Sequence, residues 1–187
     1  MQKNDYRLDQ ELFKSFIGKT FNKYKHGILI QGVSTMSTVG LMIDNESYEL
    51  LNDIEFISFT GGDDWPTICT INKKDWDHIL DGKMIEPAEI EINKKIKEIT
   101  LINDHYVSCY NGLVDYDWQG FRAVIFNFGD SELSLEKDIC PNSDSIIIRE
   151  GNNLIDKVKT GIYMLDGIKN DNEHTYKMNK EVINLSE

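Results

Sequence analysis

From Phe21 onward the chain breaks into short runs rich in β-branched and aromatic residues, closed by Gly, Asn, Asp or Ser, and this pattern constrains the fold more than any other feature. Runs this short, β-branched and bounded by turn residues read as strands of an antiparallel sheet. HGILIQGV, TVGLMID, SYELL, IEFISFT and TICTI form a first series, and KIKEITLI, YVSCY, GFRAVIFNF, SELSL and SIIIRE form a second. The expected class is mainly β with short helices, an α+β fold of two antiparallel meanders in one globular domain over residues 1–187, with sub-units at 18–81 and 94–150.

The helical exceptions are brief. Leu8, Leu12, Phe13 and Phe16 form a helical stripe over residues 8–17 that Gly18 would end. Trp76, Ile79 and Leu80 share a face over 73–80, with Asn72 as the cap and Asp81-Gly82 as the stop. Residues 82–92 around Pro87 read as a linker whose EIEINKKI is an edge strand. The polar segment 169–187 reads as a loosely ordered tail, into which EVINL could bring a last strand.

Two segments look like copies of one unit: Val39 to Asp53 (VGLMIDNESYELLND) and Ala123 to Asp138 (AVIFNFGDSELSLEKD). Each runs from an apolar strand through an acidic or Gly turn into a second, alternating strand. An internal duplication accounts for this, and so does the alternation that any two antiparallel meanders share; at the level of sequence both stand.

Charge narrows the partners. Thirty-two acidic residues against twenty basic ones give a formal charge of -12, a field that repels nucleic acid and anionic membranes and attracts a basic protein. No stretch approaches the roughly 18 consecutive apolar residues of a spanning helix. The charged start, MQKNDYRLDQELFKSF, lacks the apolar run of a secretory signal, so a cytoplasmic location is expected. Cys69, Cys109 and Cys140 are odd in number and far apart, which fits neither a disulfide framework nor metal knuckles, and they read as reduced, structural residues.

Catalytic motifs fail one by one. Gly18-Lys19-Thr20 ends like a phosphate-binding loop, but Phe13 stands where the first glycine belongs and a helix precedes it instead of a strand. His26, His78, His105 and His174 are scattered, with Asp75 and His78 able to share a helical face. His105 and Cys109, four apart on a strand, lie beyond hydrogen-bonding reach. The expectation is no catalytic set, no metal and no cofactor.

Two acidic clusters with tryptophan remain, Gly61 to Pro66 with Asp63, Asp64 and Trp65, and Asp115 to Gly120 with Asp115, Asp117 and Trp118, both expected in loops between strands. Tryptophan is a favoured interface anchor and flanking carboxylates steer a basic partner. Equally, the tryptophans could plug sheet ends while the aspartates cap turns.

The segment FIGKTF, the units VGLMIDNESYELL and AVIFNFGDSELSL, and the acidic tryptophan clusters together resemble small acidic bacterial immunity proteins, the cytoplasmic antidotes to polymorphic or contact-dependent toxins. The resemblance implies a non-enzymatic protein that binds one toxin domain and blocks its site, with a partner-binding surface at Asp63, Asp64, Trp65, Asp115, Asp117 and Trp118. A general β-rich scaffold, or a small-molecule site near Cys140 or His105, would leave the same sequence signature.

Overall fold

Strands with one apolar face are stable only against another apolar layer, and here two sheets supply that layer to each other. The computed structural model describes residues 4–59, 62–64, 66–81, 86–138, 143–159 and 173–186, with backbone alone at 57–59, 62–64, 115 and 174. Its first half contains β1 (Asn4–Tyr6), α1 (Gln10–Lys14), β2 (Thr20–His26), β3 (Ser34–Met36), β4 (Thr38–Ile43), β5 (Glu46–Ile54), β6 (Ile57–Phe59), β7 (Gly62–Asp64), β8 (Thr67–Lys73) and β9 (Ala88–Lys95). The second contains β10 (Glu98–Tyr110), β11 (Leu113–Asn127), β12 (Glu132–Lys137), β13 (Ser145–Gly151) and β14 (His174–Leu185). The fold is mostly β with short helices, as the alternation requires.

The two sheets share one plan. In the first, β2, β4, β5 and β8 form an antiparallel meander and β9 returns to pair with β2, giving the order β8-β5-β4-β2-β9. In the second, β10, β11, β12 and β13 form the same meander and β14 returns to β10. A 3-10 turn follows the fourth strand in each half, at Trp76–His78 and Leu154–Asp156. The repeat seen in the sequence is therefore a repeat of topology. Its expected alignment shifts by one residue, because Val39 and Leu41 lie opposite Leu50 and Tyr48 just as Val124 and Phe126 lie opposite Leu135 and Leu133. Ala123, the expected match for Val39, belongs with Ile125 and Leu154 to a separate cluster.

Local chemistry fixes the turns. Asp44 and Asn45 both adopt positive φ, 48° and 65°, the geometry of a tight two-residue hairpin turn. The second copy uses a longer turn with Gly129 at φ 96°. The expected first helix contracts to α1, where Asp9 accepts a hydrogen bond from the Glu11 amide at 2.9 Å. The expected second helix is a 3-10 turn capped by Asp75, since Asn72 is still in β8.

The main core lies between the sheets. Phe21, Tyr24, Val39, Leu41, Tyr48 and Leu50 of the first half pack with Ile99, Leu101, Phe121, Val124, Phe126 and Leu135 of the second. Phe13 and Phe16 join them, with the Phe16 and Tyr48 rings 4.8 Å apart and Phe21 and Phe126 5.0 Å apart, both edge-on. Main-chain bonds also clasp the halves: Ser37 N donates to Asp144 O and Ile148 N donates to Val33 O, each 2.8 Å. β3 leaves the first half altogether and pairs with β13.

β9 is the edge strand expected near Pro87. By contrast, much of the segment expected to be a loose tail is β14, paired with β10 from His174 to Leu185. Its alternation of apolar with charged residues suits an edge strand with one exposed face.

Truncating the ring shared by both halves should be costly. Phe126→Ala is expected to lower unfolding free energy by about 3–5 kcal/mol in urea titration. A loss below about 1 kcal/mol would mean that the ring is not central to the packing.

Candidate functional site

The second half differs from the first by an extension. β10, β11 and β14 run for 13, 15 and 12 residues, whereas their counterparts β2, β4 and β9 run for 7, 6 and 8. The residues of these three strands that enter the core clusters stop at Ile102, begin at Phe121 and begin again at Ile183. Residues 103–120 and 174–182 thus form a three-stranded arm beyond the core.

The arm is closed by Asn111 and Gly112, at φ 49° and 76°, a dipeptide suited to the tight turn between twisted strands. Accordingly, the expectation that Asp115, Asp117 and Trp118 occupy a loop is corrected. They lie inside β11, with Asp117 opposite Val107 and Trp118 opposite Tyr106. Val114, Tyr116 and Trp118 alternate with polar residues, and the turn signal lies in Asn-Gly.

Aromatic side chains line one face of the arm. The Tyr106 ring lies 5.6 Å from Tyr116, edge-on, and 6.3 Å from Tyr176, stacked. Trp118, half-buried, folds along its own strand over Gly120, so close that a Cβ there would collide with the indole. The indole Nε1 is buried and makes no hydrogen bond. At the tip Tyr110, Leu113 and Val114 are exposed, Leu113 by 76%.

The other face and the root are polar. His105 Nε2 and Asp117 Oδ1 are 2.8 Å apart. Arg122 and Asp104 form a buried ion pair, and Arg122 Nη1 donates to Lys137 O at 3.1 Å and Asp138 O at 2.8 Å, tying the root of the arm to the end of β12. Asp104 Oδ1 and Gln119 Oε1 are buried and unbonded. Asn103 donates to Glu181, which together with Asp5 also binds Arg7. Nothing in the sequence pattern pointed to Arg122 and Asp104, which stand 18 positions apart.

Asp63 and Asp64 lie in β7, opposite Ser58 and Ile57, while Trp65 falls outside the described residues. This small hairpin is rooted where Glu55 N donates to Pro66 O at 2.9 Å. The Tyr6 hydroxyl is pushed above its ordinary pKa by burial and by the Glu55 charge. β1 runs parallel to β11 with Asn4 to Tyr6 opposite Trp118 to Gly120.

The remaining nucleophiles and ligands are dispersed. Cys69 is buried, and burial pushes its thiol up to about 12. Cys109 is half-buried on β10, and Cys140 lies outside the described residues. His78 closes the 3-10 turn that Asp75 caps. Among the described residues no group of three or more His, Cys, Asp and Glu side chains converges, and no helix is long and apolar enough to cross a membrane. A second cluster, also unforeseen, pins the Trp76 turn to the first sheet. Buried Lys25 donates to Trp76 O, its ammonium lies 4.5 Å from the indole centroid, and Trp76 Nε1 donates to Glu89 at 2.9 Å. Desolvation lowers the Lys25 pKa.

Two outcomes follow from this geometry. Gly120→Ala should displace the Trp118 ring and shift its fluorescence, while the fold persists by far-ultraviolet circular dichroism; an unmoved emission spectrum would contradict the close approach. Cys69 should react with a thiol reagent at pH 8 only as fast as the protein opens, so its labelling should accelerate with urea. Compared with protein-family models, curated proteins and solved structures, the chain finds no match in any of the three.

Proposed function

We propose that the chain is a non-enzymatic protein-binding module that grips a basic partner through the β10-β11-β14 arm, and that it acts as an immunity-type inhibitor of a bacterial toxin domain. The observation that carries this reading is the arm itself: strands prolonged beyond the core, bearing Trp118 and a tyrosine cluster on one face and apolar residues at the tip. Such a surface adds little to packing and much to contact area. Asp117, on the arm's polar face beside His105, together with Asp115, Asp63, Asp64 and Trp65 as assigned from the sequence, completes the proposed set of binding residues, and the net charge of -12 supplies long-range attraction for a basic domain.

Carboxylates and anchor make separable contributions. Asp115→Asn with Asp117→Asn should slow association and flatten its salt dependence, because steering acts on encounter. Trp118→Ala should mainly speed dissociation, costing about 2 kcal/mol or roughly thirtyfold in affinity. The partner is identified by pull-down from the source cells, starting with any toxin domain encoded immediately upstream, and the kinetics are then measured beside an unfolding curve for each variant. If both folded variants bind that partner as tightly as the natural chain, the assignment of the surface is wrong.

A further inference from the structure

Four exposed asparagines hold their main chain in the left-handed region: Asn45, Asn93, Asn111 and Asn153, at φ 65°, 50°, 49° and 55°. Glu46, Lys94 and Leu154 follow three of them, and Gly112 follows Asn111 in the only Asn-Gly pair of the chain. That difference is chemical. An asparagine side chain is open to attack by the main-chain nitrogen of the next residue, and the side chain of that residue obstructs the approach, whereas glycine has none. At Gly112 even an added Cβ would meet nothing within 4 Å, so the space that a cyclic imide needs is open.

No other bond competes for the two reacting groups. Among the described residues the Asn111 carboxamide makes no hydrogen bond, and Gly112 N donates none to the main chain. Other amides are engaged: Asn52 donates to Ser143 O, Asn93 to Glu91 and Asn103 to Glu181. Asn111-Gly112 also sits where the chain opens most readily, since Tyr110 opposite Leu113 is the last rung of the β10-β11 ladder and both residues are exposed. Ring closure requires Asn111 to swing out of its left-handed conformation, and opening that last rung lets it do so.

We propose that Asn111 is a site of spontaneous deamidation, through which the tip of the arm passes from neutral to acidic. Gly112 N gives up its proton to solvent and attacks Asn111 Cγ; the new N–C bond closes a succinimide as the Cγ–Nδ2 bond breaks and ammonia leaves. Water then opens the ring, giving aspartate when it attacks Cγ and isoaspartate when it attacks the main-chain carbonyl. Water is the sole co-reactant, and nothing is oxidised or reduced. Either product sets a carboxylate between Tyr110 and Leu113. Isoaspartate also adds a methylene to the main chain of a two-residue turn. Because Asn111 N donates to Glu173 O at 2.7 Å, the start of β14 loosens with the tip. None of this depends on the partner proposed for the arm.

The full chain, kept folded at mildly acidic and at mildly alkaline pH, is digested over time and its asparagine peptides are weighed, with isoaspartate detected by an isoaspartyl methyltransferase. Asn111 should convert first, and faster at alkaline pH, while Asn45, Asn93 and Asn153 remain amides as controls of like exposure and backbone. Gly112→Ala should slow the conversion about tenfold or more. That comparison is repeated in urea, where strain in the turn plays no part. In the converted chain, hydrogen exchange should quicken at Tyr110, Leu113 and the first residues of β14. The inference is overturned if Asn111 converts no faster than the three controls, or only after unfolding. A Gly112→Ala chain that converts as fast as the natural one overturns it as well.

Discussion

The fold depends on one shared apolar layer. Each sheet has a face that is unstable in water, and the layer between them is built from both halves at once. Neither half keeps a core without the other, because the rings that meet at its centre, Phe21 and Phe126, come from different meanders. Two like halves that can be stable only together need not be identical. One can stay close to the minimum that buries the layer while the other acquires extra length, which is what separates the short strands β2, β4 and β9 from β10, β11 and β14.

An extended arm needs its own support. Outside the shared layer, its strands are held by the ladders between β10, β11 and β14, by the aromatic row, and by Arg122 fastening its root to the carbonyls that end β12. Removing one partner of a buried ion pair leaves the other uncompensated, so Arg122 and Asp104 set where the arm begins as well as how it is anchored. Trp118 is held differently, by close approach to a glycine. The absence of a side chain at position 120 gives the indole its place.

Much of the architecture was legible because strand alternation is a local property. TVGLMI and SYELL state their inward residues, and the meander order follows from short polar turns. The boundaries that failed were those where one local signal outranked another. Asn111-Gly112 is a stronger turn signal than the acidic residues that follow, so Asp115 to Trp118 belong to a strand. His174 to Leu185 looked too polar to order, but an edge strand buries only one face and its main chain is satisfied by β10. Of the site, the chemical character of Asp117 and Trp118 could be read, and their setting could not. The tyrosines that accompany Trp118 come from three strands, and Tyr176 reaches the row only through the return of β14. No window of sequence contains that proximity. The same holds for Lys25 with Trp76 and for Arg122 with Asp104.

The returning strands also set an order of events during synthesis. β9 is made soon after the meander it closes, so the first sheet is complete before most of β10 has left the ribosome. The second sheet waits longer, since β14 pairs with β10 across a long intervening stretch of chain. Until His174 to Leu185 emerges, β10 keeps an unpaired edge and the tyrosine row is one ring short. A nascent chain halted before that point could possess both halves of the core and still lack its finished arm, so a ribosome-bound intermediate would be folded at its centre before its outermost strand was in place.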